Sequence, residues 1–236
     1  MSLSYFYIQQ YDLSQKEVEL DEDTSYHIVQ VLRMKTGERL QLTDGKGNLL
    51  TAVILDCHKK HCAVQVIETS YQPPAPRKIS IAISLIKNSS RFEWFLEKAT
   101  EIGINEIIPL LCERTVREKF RIDRMKGICI SAMLQSQQTL LPVLHEPVAY
   151  DLLFRQEEIA GIAQKFIAHC ADHEKHRLNE LLDRSLRSQI ILIGPEGDFS
   201  EREISMGSQF NFIPVSLGDT RLRTETAGVV AAALMR

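Results

Sequence analysis

The sequence predicts an α+β protein of two domains. A small β domain covers residues 1–70, a linker 71–78, and an α/β domain 79–236. Three observations predict this. Short strand-like runs separated by tight turns fill the first seventy residues, the pattern of a small barrel or sandwich. Tyr71-Gln72-Pro73-Pro74-Ala75-Pro76 then places three prolines in four residues, which favours an extended, semi-rigid connection. Beyond it, strand and helix patterns alternate.

Composition sets the outer limits. A chain of 236 residues fits one large domain or two modest ones. Its charged (25%) and apolar (44%) fractions are those of a soluble globular protein. No apolar run is long enough to span a bilayer, and no basic-then-apolar signal pattern opens the chain. Five cysteines, an odd number, do not resemble a disulfide framework, so a cytoplasmic location is expected. The net charge of −3 means that nucleic-acid binding must come from local patches.

In the first domain, Leu40-Gln41-Leu42 and Leu49–Leu55 flank Asp44-Gly45-Lys46-Gly47-Asn48, a strong hairpin signal. Cys62–Ile67 reads as another strand, and Tyr26–Arg33 as a helical turn or short helix. Cys57, His58, His61 and Cys62 are metal-ligand types. Neighbours in a hairpin point to opposite faces, so four ligands would hardly converge, and no metal is expected. His27 and Arg33 are candidate RNA contacts, against a structural reading of the same residues. Ten acidic and seven basic residues through Ser70 leave this part without a basic field.

In the second domain, Lys78–Ile86 reads as a strand. Ser90 and Glu93 have capping-box spacing before a helix with Phe92, Phe95, Leu96, Ala99 and Ile102 on one face, stopped by Gly103. Ile104–Leu111 reads as the next strand. Cys112–Lys126 holds six basic and three acidic residues. Arg114, Arg117 and Arg121 lead this cluster as candidate phosphate contacts, and a solvated loop explains them equally well. A helix follows over Met125–Gln138, ending before Pro142. Phe166–Ala168 is a short strand. His169, Cys170, Asp172, His173 and His176 come after it without a metal-site spacing. Leu178–Leu186 reads as a short helix.

The run Ile190–Phe199 anchors the domain. Ile190-Ile191-Leu192-Ile193 reads as a strand buried on both faces. Gly194-Pro195-Glu196-Gly197 breaks it, and Ser200 with Glu203 caps a helix. Strand, glycine turn and helix is where α/β sheets bind ligands. The loop is no P-loop, because the Gly-Lys-Ser/Thr ending is missing and Glu196 would repel a polyphosphate. A tight turn without a ligand is the plainer alternative. Phe212–Leu217 reads as the last strand. Its loop, Gly218–Arg223, leads to Thr224 as N-cap of a small and apolar final helix. Two polar loops at corresponding strand ends favour a real site over either loop alone.

Several segments carry a family resemblance. Gly194-Pro195-Glu196-Gly197, Leu217-Gly218 through Leu222-Arg223-Thr224-Glu225-Thr226-Ala227, Glu97–Gly103, and Val31-Leu32-Arg33 with Gly37-Glu38 resemble the RsmE family. Its members are 16S rRNA uridine N3-methyltransferases of the SPOUT class. The resemblance implies an N-terminal PUA-like β-barrel that binds rRNA and a C-terminal α/β SPOUT domain with a trefoil knot. It implies a homodimer with cofactor sites near the subunit interface and 16S rRNA of the small subunit as partner. The knot rests on the resemblance alone. The cofactor implied is S-adenosylmethionine, bound by Gly194, Pro195, Glu196, Gly197, Leu217, Gly218, Leu222, Thr224 and Thr226. Three departures stand out. Asp198 replaces a common Gly, Leu134–Gln138 lacks the usual Arg, and Leu3-Ser4-Tyr5-Phe6 offers no Arg.

Under this resemblance Arg223 is the catalytic candidate. Its planar donors suit O2 or O4 of a uracil anion. A structural pairing of Arg223 with Glu225 or Glu196 is the competing reading. The resemblance assigns no general base, and Glu196 is a candidate for that role. Other readings are a SPOUT enzyme with another RNA target, a non-catalytic rRNA-binding assembly factor, and a metal-dependent enzyme using His169–His176.

Overall fold

A computed structural model describes residues 3–12, 15–116, 119–171 and 175–236. The chain forms two compact units. One comprises Met1–Pro74 with Met133–Leu141, the other Ala75–Ala132 with Pro142–Arg236. Among the described residues no helix is long and apolar enough to cross a membrane.

The first unit is a five-stranded β domain. Its strands are β1 (Ser4–Tyr7), β2 (Glu17–Glu19), β3 (Arg39–Thr43), β4 (Asn48–Asp56) and β5 (Ala63–Tyr71), in the sheet order β1-β3-β4-β5-β2. Leu40, Leu42, Leu50, Ala52, Ile54 and Val64 are fully buried. Their spacing of two puts them on one face, as the pleat requires. Each fully buried Leu or Ile contributes roughly 1.5–3 kcal/mol.

The β3–β4 hairpin forms where the sequence places it, with Leu42 opposite Leu50. Asp44 holds the turn by accepting from Lys46 N (2.8 Å) and Asn48 Nδ2 (2.6 Å). Gly47 has φ +103, and a Cβ there would lie 2.3 Å from Gln72 O. Only glycine fits.

Helix α1 (Glu22–Tyr26) starts earlier than expected, because the Asp21 carboxylate accepts from Thr24 N at 2.8 Å. It runs on as a wider π turn over His27–Val31, and Arg33 (φ 56) closes it. His58 and His61 stack at 3.8 Å.

Met133–Leu141 joins this unit through several bonds. Tyr5 Oη donates to Gln138 O (2.9 Å), Gly47 N to Thr139 O (2.8 Å), and Thr139 Oγ1 to Gln72 Oε1 (2.8 Å).

The second unit is an α/β layer structure. Its elements are β6 (Lys78–Ser84), α2 (Ser89–Ile102), β7 (Glu106–Leu111), α3 (Ile122–Gln135), β8 (Val143–Leu144), β9 (Val148–Ala149), α4 (Tyr150–Leu153), α5 (Glu157–Ala160), β10 (Gln164–Ala168), β11 (His176–Arg177), α6 (Leu178–Leu181), β12 (Ser188–Ile193), α7 (Glu201–Gln209), β13 (Ile213–Ser216) and α8 (Thr224–Met235). The sheet order is β11-β13-β10-β12-β6-β7-β8, with β9 beside β7. Every pairing in it is parallel.

Parallel strands need cover on both faces. Ala82, Ile108, Ile190 and Leu192 pack on one side with Tyr150, Leu153, Phe199, Ile204 and Phe212. The alternate residues of the strands point to the other face, where Ile83, with Phe95 of α2, meets α8. Gly228 of α8 lies so close that a Cβ would sit 2.6 Å from Phe95 and 2.8 Å from Ile83.

Several local expectations need correction. Helix α2 is capped by Asn88, whose side chain accepts from Ser90 N, so Ser90 and Glu93 form no capping box. Glu93 instead takes a bidentate pair from Arg124 at 2.7 and 2.9 Å. Helix α3 ends at Gln135, because Gln137 turns left-handed (φ 55). Leu178–Leu186 keeps a helix only to Leu181. The N-cap of α8 is Arg223, with Thr224 as its first helical residue. The capping box of Ser200 and Glu203 is present.

Candidate functional site

Strands β10, β12 and β13 end level with one another, with Ala168 opposite both Ile193 and Val215. Because they are parallel, the loops that leave them emerge on one edge of the sheet. These loops are His169–Ala171, Gly194–Phe199 and Leu217–Arg223. Together they wall a solvent-open cavity of about 950 Å3. That is the upper size range of small-molecule sites.

The Gly194–Phe199 loop is fixed at both ends. A Cβ on Gly194 would lie 3.0 Å from the Phe199 ring, so the chain passes its own anchor closely. Phe199 is buried and packs on Tyr150 at 5.4 Å. Asp198 N–H donates back to Pro195 O at 2.9 Å. Asp198 has φ 63, a conformation that glycine adopts freely, and glycine is what the family resemblance leads one to expect at this position. Aspartate tolerates that conformation. Here it also ties two loops together, since its carboxylate accepts from Cys170 N at 2.7 Å and Phe199 N at 2.9 Å.

Of the cofactor residues expected from sequence, Gly194, Pro195, Glu196, Gly197, Leu217, Gly218, Leu222 and Thr224 line the cavity. Thr226 does not. Thr224 and Ala227, three apart, share the helix face that meets the cavity, and Thr226 is turned roughly 200° from Thr224. Sequence reasoning missed Asp198, Phe199, Arg221 and the His169–Ala171 loop, all on the wall. The metal reading of that loop obscured its position after a parallel strand. Asp172 and His173 lie outside the described residues. Among the described residues, no three His, Cys, Asp or Glu side chains are grouped to hold a metal.

Arg223 is exposed and lines the cavity. Both partners proposed for it are engaged elsewhere. Glu225 is buried and pairs with Arg91 at 3.7 Å. Glu196 accepts from Lys87 N at 3.1 Å. Among the described residues the Arg223 guanidinium has no hydrogen-bond or ion-pair partner. Deeper groups beneath the site are kept neutral. Burial pushes the Cys112 thiol up to about 12 and raises the Tyr150 phenol.

The basic cluster divides. Arg114 Nη1 donates to Gly197 O (2.7 Å) and Phe199 O (3.5 Å), and Arg124 is held by Glu93. Lys119, Arg121 and Lys126 are exposed. Arg117 lies outside the described residues. Arg33 is exposed at the end of the π turn in the first unit.

Comparison with known proteins bears on both units. Residues 73–236 match the RNA methyltransferase domain family, and residues 20–67 the RNA methyltransferase PUA domain family. Over 215 residues the chain is 35% identical to the ribosomal RNA small subunit methyltransferase E of Synechocystis sp., covering 88% of this chain and 69% of that protein. A probable rRNA-methyltransferase from Porphyromonas gingivalis has a similar crystal structure. It shows 37% identity and a TM-score of 0.88, covering 98% of this chain and 95% of that one. The ribosomal RNA small subunit methyltransferase E from Neisseria gonorrhoeae, bound to S-adenosyl methionine, gives 26% identity and a TM-score of 0.86. That match covers 99% and 97% of the two chains.

Proposed function

Since the chain belongs to the RNA methyltransferase family, we propose that it methylates N3 of one uridine in the 16S rRNA of the small ribosomal subunit, with S-adenosylmethionine as methyl donor. One observation carries the reading. Three loops from adjacent parallel strands enclose a ligand-sized cavity, and an uncommitted guanidinium, that of Arg223, stands in its wall.

The residues fit the cofactor. Gly194 and Gly197 bring bare backbone to the wall, and Gly218 (φ +149) turns where a side chain would be strained. Backbone N–H and C=O groups there suit a purine edge and a ribose. Glu196 places a carboxylate on the wall, whereas that of Asp219 is paired with Arg177 at 2.6 Å. When bound, S-adenosylmethionine supplies a methyl carbon already activated by its sulfonium.

The chain's own residues then have two tasks. Uridine N3 is a poor nucleophile until its proton leaves. The loops align N3 with the methyl group, which lowers the entropic barrier. Arg223 holds the negative charge that spreads onto O2 or O4, with two donors in one plane. The N3 proton passes to a base, for which Glu196 is the carboxylate we favour.

We place Arg33 and Arg121, both exposed, on the rRNA backbone, together with Arg117, which lies outside the described residues. The first unit is taken as an rRNA-binding domain over residues 1–70, and 79–236 as the methyltransferase domain. A knotted, homodimeric, cytoplasmic enzyme completes the reading. Helix α8 supports the dimer. From Ala227 to Met235 it carries only small or apolar residues, yet Val229, Val230 and Leu234 are only partly covered and Ala233 is exposed.

The test is transfer from labelled S-adenosylmethionine to unmodified small ribosomal subunits, with nucleosides resolved by mass spectrometry. New 3-methyluridine is expected. A different methylated nucleoside would move the target. Absence of both transfer and cofactor binding would leave a non-catalytic rRNA-binding factor.

A further inference from the structure

We infer that Arg114 is a positioning residue that sets the shape of the Gly194–Phe199 loop, and with it the affinity for S-adenosylmethionine; the inference rests on the cofactor reading above. Its sequence context, the first arginine of a basic run, suggests a phosphate contact. The geometry points elsewhere. Arg114 Nη1 donates to Gly197 O at 2.7 Å and also reaches Phe199 O at 3.5 Å. Its stem lies flat on Gly197, where a Cβ would come within 3.3 Å of Arg114 Cδ. Both residues line the cavity.

The preceding residue strengthens the clamp. Glu113 N–H donates to Glu203 Oε1 at 2.8 Å, and Glu113 Oε2 accepts from Ser200 Oγ at 2.7 Å. The segment that leaves β7 therefore grips the loop at Gly197, Phe199 and Ser200. The Gly197 and Phe199 carbonyls share their peptide planes with the N–H groups of Asp198 and Ser200. Those groups donate to Pro195 O (2.9 Å) and Glu203 Oε2 (2.8 Å). The Arg114 bonds therefore hold both planes, and the course of the loop along the cavity, from the other side. A charged donor on a carbonyl is stronger than a neutral one.

The experiment compares wild-type protein with Arg114→Met and Arg114→Lys. In Arg114→Met the KM for S-adenosylmethionine should rise about tenfold, the loss of one charged hydrogen bond. The kcat should change by less than about twofold. The salt dependence of RNA affinity should stay as in wild type. Arg114→Lys should recover part of the KM, since one ammonium reaches one carbonyl. An unchanged KM, together with a log–log salt slope reduced by about one, would identify a phosphate contact and overturn the inference.

Amide exchange at Asp198 and Phe199, measured without cofactor, separates the two readings. It should quicken in Arg114→Met, and unchanged exchange would refute the clamp. Failure of wild-type protein to bind S-adenosylmethionine in calorimetry would instead refute the cofactor reading, and the exchange rates would still decide the clamp.

Discussion

Replacing Glu106 by Gln should cost stability without touching catalysis. Glu106 opens β7, at the end of the sheet opposite the cavity loops. It is buried, which by itself would raise its pKa. Hydrogen bonds to His145, Ser80 and Lys78 outweigh burial and hold the carboxylate at about 2, below its ordinary 4.5. The contacts are short: His145 Nε2 at 2.9 Å, Ser80 Oγ at 2.5 Å and Lys78 Nζ at 2.9 Å. At ~1.36 kcal/mol per pH unit, the gap from 4.5 to about 2 corresponds to about 3 kcal/mol.

The sign follows from proton uptake. Below pH 4.5 the unfolded chain binds a proton that the folded chain refuses until about pH 2. The contribution is complete above pH 4.5 and is lost as pH falls towards 2. Urea unfolding at neutral pH should show Glu106→Gln destabilised by about 2–3 kcal/mol. The stability of the variant should fall less steeply than that of wild type through the acid window. Its KM for S-adenosylmethionine at neutral pH should be that of wild type. Parallel stability curves for the two proteins between pH 4.5 and 2 would refute the reasoning.

Other substitutions probe the site and its supports. Arg223→Ala should lower kcat by about 10²–10³ and leave cofactor affinity nearly intact, as expected for a group that acts on developing charge; normal turnover by the folded variant would remove Arg223 from the chemistry. Gly228→Val should overpack the contact of α8 with Phe95 and Ile83, destabilising by about 1–3 kcal/mol or more in urea unfolding. Gly47→Ala should lose about 1–3 kcal/mol through its φ of +103 and its clash with Gln72 O, seen as faster proteolysis of the first unit.

What the sequence made legible was local. The Asp44–Asn48 turn is written in glycines and an aspartate that bonds its own backbone, so neighbouring residues decide it. Ile190–Ile193 is recognisable because a strand covered on both faces must be apolar at every position. The Ser200–Glu203 capping box is also a matter of a few adjacent residues.

The rest depends on partners distant in the chain. No periodicity tells that β12 pairs with β6 more than a hundred residues earlier, or that β10 lies between β12 and β13. The His169–Ala171 loop therefore looked like a set of metal-ligand types, when its place follows from the strand before it. Asn88 was overlooked as a cap because Ser90 and Glu93 matched a known spacing, while Glu93 had a stronger partner in Arg124. Arg114 is similar. Its charge is visible in sequence, but its bond to Gly197, 83 residues away, is not. The family motifs, by contrast, led directly to two of the loops that line the cavity. Thr226 fell outside the cavity because a motif is contiguous while a helix face is not.

A structure of the protein with S-adenosylmethionine bound tests the assignment of the cavity most directly. The cofactor should lie between the Gly194–Gly197 loop and the Leu217–Thr224 segment, with its methyl group turned to the side on which Arg223 stands. A cofactor seated elsewhere, or one whose methyl group faces away from Arg223, would contradict it.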